Sequence, residues 1–211
     1  EEIDFTSVTT CISEFFETFD KNKVAHKLVA TVRKYKGRTV EDLICEWDET
    51  AQFGTTVHKE IEDYIKLKKT PETDRAIAGI EWLKKYLQKS DYELFSEVIV
   101  YSLELKIAGT IDLIIFDKVS KKYSILDWKT SKSISTDSYQ MKTGNTAETA
   151  DLLDCKFNHY ALQLSLYRYL LEKNYNLELD DQIIIHLDKN SVHGYIAPYL
   201  ENHIISILKH Y

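Results

Sequence analysis

The chain has 211 residues, 44% of them hydrophobic, and 27 Lys and Arg against 34 Asp and Glu give it a net charge of -7. That length and apolar share suit one globular domain, residues 1–211, with a sizeable core, while the acid excess excludes a nonspecific nucleic-acid coat protein but not a local basic field. No apolar run reaches the ~18 residues needed to span a membrane, and the acidic start at Glu1, Glu2 and Asp4 is unlike the basic head of a signal peptide.

The first third, to about residue 90, reads as helical. Ser7 or Thr9 can cap a helix running through Phe19, and a second helix runs from about Asn22 to Tyr35 and stops at Gly37. From Lys21 to Arg38 there are seven Lys and Arg and no acid; the plain reading is a solvated helix face, the functional one a strip that grips phosphates. Thr39 can cap the next helix, with Glu41 and Asp42 in its first turn, and this helix, with a possible break near Gly54, carries His58, Ile61, Glu62 and Ile65 at helical spacing. Glu72 to Lys89 is another helix, striped by Ile77, Ile80, Leu83, Tyr86 and Leu87.

From residue 91 the pattern changes to strands. Leu94–Tyr101, Lys106–Phe116 and Tyr123–Trp128 form an antiparallel meander; Ser131–Thr149 is polar and turn-like; a long helix covers about Asp151–Asn174; two strands, Gln182–Leu187 and Gly194–Tyr199, precede a final helix. The order predicts an α/β domain with a mixed central sheet flanked by helices. Cys11, Cys45 and Cys155 are far apart with no CxxC pair, so neither a zinc knuckle nor a disulfide framework is expected, and a reducing, intracellular setting is. The chain does not begin with Met, which leaves room for a trimmed targeting segment and so for a nucleoid or organelle address.

The chemistry concentrates in two neighbouring strands. Asp112 sits inside the apolar run Ile107–Ile115, and Asp127 ends the next strand, Tyr123–Lys129. A carboxylate among Ile and Leu is costly to bury unless it is paired or bound to a cation. Two of them on adjacent strands would repel, and a divalent ion answers both problems. Alternation along a strand puts Asp127 and Lys129 on one face with Trp128 on the other, so a ligand and an ammonium stand side by side. With oxygen donors dominant, Mg²⁺ is the expected ion and Mn²⁺ a substitute.

Gly109-Thr110-Ile111-Asp112 followed by Asp127-Trp128-Lys129 resembles the GxxD and (D/E)xK motifs of the PD-(D/E)XK nuclease superfamily. Gly54-Thr55-Thr56-Val57-His58, Glu97 on the preceding strand and Gln163-Leu164-Ser165-Leu166-Tyr167 are similar to the helical histidine, early acid and QxxxY motifs of its RecB-like branch. The resemblance covers about residues 54–167. It implies a restriction-endonuclease-like core and a metal-dependent deoxyribonuclease, an exonuclease on single strands or DNA ends. It also implies metal ligands His58, Asp112 and Asp127 with the Trp128 carbonyl as a backbone ligand, Lys129 as the catalytic lysine and Glu97 supporting the metal, its waters or Lys129. Gln163 and Tyr167 would position substrate and lysine, and Thr130 and Ser131 would donate to a phosphate. Asp stands where the family more often has Glu, and the four cysteines of iron–sulfur members are missing, so no cluster is expected. That favours simpler relatives such as mitochondrial genome-maintenance and phage recombination exonucleases, with replication or recombination proteins as partners and a phage or viral origin open.

Each residue also has a plain reading. His58 alone can be a satisfied helix histidine, Lys129 a solvated strand end, Gln163 and Tyr167 ordinary packing, and Glu97 a solvent-facing side chain. Tyr92, Phe95, Tyr101 and Trp128 are expected in the core, His159 is structural, and His186, His193, His203 and His210 show no ligand spacing. Two rivals to the exonuclease stand: an endonuclease of the same fold, on DNA or RNA, and a catalytically dead module that only binds nucleic acid or a partner.

Overall fold

A computed structural model describes residues 4–211 of the chain; Glu1 and Glu2, read above as part of an acidic start, lie outside them. In chain order the elements are β1 (Thr6–Ser7), α1 (Val8–Ser13), α2 (Lys21–Thr31), α3 (Val40–Leu67), α4 (Asp74–Leu87), β2 (Tyr92–Ser102), β3 (Ile107–Asp117), β4 (Lys122–Lys129), α5 (Lys156–Asn174), β5 (Leu179–Leu187), β6 (Val192–Ile196) and α6 (Glu201–Ile207). No helix among the described residues is long and apolar enough to cross a membrane.

The helices begin where their caps dictate and end where tertiary contacts win. Ser7 accepts from the Thr10 amide and starts α1, but the helix stops at Ser13 instead of Phe19, because the chain turns to bury Phe15 and Phe16 in the core. Thr39 and Asp42 form a reciprocal capping box at the head of α3, which then runs 28 residues without a break at Gly54. The glycine there serves a close approach: a Cβ would lie 2.7 Å from Thr130 Oγ1 at the end of β4. Helix α5 starts at Lys156, later than Asp151, because the backbone before it is committed elsewhere. The Asp154 amide donates to the Lys142 carbonyl at 2.8 Å, and Thr143 bridges Leu153.

Six strands make a mixed sheet. The β2–β3–β4 meander is antiparallel, β4 and β5 run parallel through the α5 crossover, and β6 returns antiparallel. The two-residue β1, not anticipated from the sequence, pairs parallel with Ile107 and Ala108 of β3. Helices α1, α5 and α6 cover one face over Ile107, Ile111, Ile125 and Ile184; α3 and α4 cover the other over Leu113, Leu126, Trp128 and Ile185. Tyr92 and Trp128 join this second core as expected. Phe95 and Tyr101 do not: they are 41% and 46% exposed, because β2 is an edge strand whose outward residues meet water.

The pleat is interrupted at one rung. In β3, Ile111 faces the α5 side but Leu113 faces the α3 side, although residues two apart should share a face. In β2, Val98 and Val100 face the α5 side while Tyr92 and Leu94 face the other. Both strands switch faces at Glu97 and Asp112, which the flanking pairs Ser96↔Leu113 and Val98↔Ile111 place opposite one another. Glu97 has φ 53°, a left-handed conformation that a non-glycine residue holds at a cost of about 1–3 kcal/mol.

Candidate active site

The site opens where two central strands part. The β3–β4 ladder ends at Leu113↔Leu126, while β4 continues along β5 to Lys129↔His186. In the gap the Trp128 amide donates to Asp112 Oδ2 at 2.8 Å, so a side chain stands in for the next backbone rung. This fixes one carboxylate oxygen. His58 reaches the same oxygen from α3, with Nδ1 3.4 Å away. His58, Glu97 and Asp112 each bring one donor atom to within 4.8 Å of the others.

Asp127 lies outside that triplet. It is buried, its Oδ1 receives the Gln163 side-chain amide at 3.5 Å, and its Oδ2 sits 2.7 Å from Lys129 Nζ. As the alternation predicted, Asp127 and Lys129 share a face while Trp128 turns to the opposite core. Asp127 Oδ2 has the Lys129 ammonium as its ion-pair partner and no further donor. A buried carboxylate paired with a single lysine keeps lone pairs free for a cation. Beside a cluster of two carboxylates and one imidazole, it fits a divalent ion. His58, Glu97, Asp112 and Asp127 are the residues that would hold one.

The electrostatics agree. Burial pushes the Asp127 carboxyl up to about 6 against the pull of Lys129, and the nearby Asp112 charge pushes the same way. Burial and then Asp112 raise Glu97. Burial alone would depress both His58 and Lys129, but Asp112 beside the imidazole and Asp127 beside the ammonium hold each above its ordinary value. The site therefore carries more negative charge than its own cations neutralise.

The other predicted residues fall around this centre. Tyr167 is buried, and its hydroxyl and ring press on β3 where a Cβ at Gly109 would lie 2.7 Å from Oη and 2.8 Å from Cε1. The glycine of the GxxD segment is thus required by the tyrosine of the QxxxY segment. Thr130 and Ser131 line a groove of about 400 Å³ with Lys129, His58, Trp47 and Tyr160. Three residues not singled out from the sequence support this wall. The Tyr160 ring lies 4.5 Å from Lys129 Nζ. Arg75 Nη1 donates to the Thr130 carbonyl at 2.7 Å. His186, buried, places Nε2 2.6 Å from the Ser131 carbonyl. His186 had a signal after all, since Ile183-Ile184-Ile185-His186-Leu187 is a polar ring in an apolar strand, the same pattern that drew attention to Asp112. His159 is structural as expected, bonded to Asp154 at 2.8 Å and packed on Phe16.

The family model of the PD-(D/E)XK nuclease superfamily matches residues 16–193. The chain belongs to this superfamily, and its mixed sheet flanked by helices is the restriction-endonuclease-like α/β fold. Membership makes it a nuclease by class, acting on nucleic acid with divalent metal ions. No curated protein matches the chain in sequence. Among solved structures it is similar to the crystal structure of SSO0001, with 16% identity and a TM-score of 0.44 over 99% of this chain and 75% of that one.

Proposed function

We propose that the protein is a Mg²⁺-dependent deoxyribonuclease of RecB-like type, with Mn²⁺ as a working substitute, acting as an exonuclease on single strands or DNA ends. The observation that carries it is the convergence of His58, Glu97 and Asp112 beside a buried Asp127–Lys129 pair. We propose the four acid and imidazole groups as ligands, joined by the Trp128 carbonyl, and residues 1–211 as one working unit. An ion bound there would neutralise the scissile phosphate and acidify a water.

The chain's own groups do the rest. Lys129 stays protonated between Asp127 and the Tyr160 face, so it offsets charge developing on phosphorus oxygens instead of accepting a proton. Gln163 holds Asp127, and Tyr167 packs Gly109; both position the site. Thr130 and Ser131 line the groove with their backbone held by Arg75 and His186 at the two carbonyls, and we assign this segment to the phosphate side of the groove.

The test is incubation with end-labelled single- and double-stranded DNA and RNA, linear and circular, in Mg²⁺, Mn²⁺ or chelator. Expected is stepwise shortening of linear DNA single strands, lost in chelator and in Asp127→Ala and Lys129→Ala proteins. Ready cleavage of closed circles would replace the exonuclease with an endonuclease; equal cutting by the alanine variants would remove the site.

A further inference from the structure

A second groove, of about 590 Å³, abuts the first. It is bounded by Phe19, Lys23 and Lys27 on one wall and Tyr139 and Lys142 on the other. The linings touch where Phe19 packs against Trp47 of the active-site groove with ring centroids 5.9 Å apart.

Its surface is costly to leave bare. Of its lining, Phe19 is 66% exposed and Tyr139 71% exposed. The turn that presents Tyr139 holds two consecutive non-glycine residues at positive φ, Gln140 at 56° and Met141 at 54°, strain of a kind that gathers at binding sites. Three acids also line it, each with a partner: Glu17 with Lys142, Asp154 with His159, and Asp20 with the Lys23 amide as the α2 cap; Lys142 first, then Lys23 and Lys27, hold the Glu17 carboxyl down. Lys21 and Arg38, at the ends of the basic run, are tied to Asp48 and Glu46 of α3. Lys23 and Lys27, facing the groove, have no ion-pair partner among the described residues.

We infer that this groove is the track for the single-stranded part of the polynucleotide leading to or from the site. Lys23 and Lys27, one helical turn apart beside Phe19 and across from Tyr139, offer phosphates and bases separate contacts, and exposed rings can stack only on bases that are not in a duplex. The inference rests on the nuclease reading for its substrate, but its test does not need cleavage.

The experiment is fluorescence anisotropy in Ca²⁺ with labelled single strands of ~25 nucleotides, DNA and RNA in separate arms, and a blunt duplex. Wild type is compared with Lys23→Ala/Lys27→Ala/Tyr139→Ala, three solvent-exposed positions. Expected is a loss of about tenfold or more in single-strand affinity and a salt slope shallower by about 1.4, or ~0.7 for each of two phosphate contacts. Duplex binding should change little, and the Mn²⁺-induced rise in melting temperature, which reads the acidic site, should equal wild type. The DNA and RNA arms say which single strand the track prefers. Unchanged single-strand affinity, or an equal loss on the duplex, overturns the track. A wild type that binds as expected yet hydrolyses nothing in Mg²⁺ or Mn²⁺ refutes the nuclease reading and leaves the track standing.

Discussion

Replacing Asp112 by Asn separates the ion-binding role of this side chain from its structural one. The Trp128 amide donates to Asp112 Oδ2 at 2.8 Å where the β3–β4 ladder ends, and an Asn carbonyl oxygen keeps that bond while losing the charge. In chelator the variant should melt close to the wild-type temperature, since relief of the repulsion with Glu97 and Asp127 offsets loss of the charge beside His58. The wild type gains free energy from any ion it holds: about 2.7 kcal/mol at a hundredfold excess over Kd, which for a domain of this size is a shift of roughly 5–11 °C. Asp112→Asn should lose most of that shift. Differential scanning fluorimetry over a Mn²⁺ series reads both proteins. An equal Mn²⁺ shift in the variant, or none in wild type at millimolar Mn²⁺, would refute the reasoning.

The remaining expectations are narrower. Because burial raises Asp127 from 3.8 to about 6 in the fold, the folded state binds this proton more tightly than the unfolded chain does. Its ionisation therefore costs stability above that pH, on the order of 2–3 kcal/mol, and the cost fades as pH falls through 6 towards 4. The difference in apo melting temperature between wild type and Asp127→Asn should thus be large at pH 7.5 and small at pH 4.5, and the Mn²⁺ shift of wild type should shrink below pH 6; a difference independent of pH would contradict it. Lys129→Ala should keep the Mn²⁺ shift but lose ~100-fold or more in turnover, measured on labelled single strands. Gly109→Ala drives a methyl into the Tyr167 ring and should cost roughly 1–3 kcal/mol of stability, read from a lower urea midpoint at unchanged m. His186→Ala leaves the Ser131 carbonyl without its partner; faster amide exchange around residues 130–133 is expected, with KM raised more than kcat is lowered.

Much of the site was legible because its parts break local rules: acids in apolar strands, a lysine two residues from one of them, a histidine beside an apolar helix stripe. Asp127 and Lys129 on one face follow from strand alternation alone. What stayed hidden depended on a departure from that alternation. The face switch at Glu97 and Asp112 could not be read from Ile111, Leu113, Ile114 and Ile115, since a strand buried on both sides is apolar at every position. That switch is also why Glu97 joins His58 and Asp112 in one triplet while Asp127 stands apart with Lys129. Arg75 and Tyr160 were invisible for a different reason: each meets its partner across a long stretch of chain, and neither type in a helix announces a role. Helix ends were misjudged at Phe19 and Asp151 where packing of Phe15 and Phe16 and the Thr143–Leu153 bridge overrode local propensity.

The crossed rung also ties the two hydrophobic clusters into one cooperative body. Strand β2 passes from the second cluster at Tyr92 and Leu94 to the first at Val98 and Val100, and β3 gives Ile107, Ile111 and Ile114 to the first and Leu113 and Ile115 to the second, so loss of either helical layer strips one face from strands the other layer needs. Heat or urea should consequently meet a single transition, with no partly unfolded form that keeps α5 docked and sheds α3.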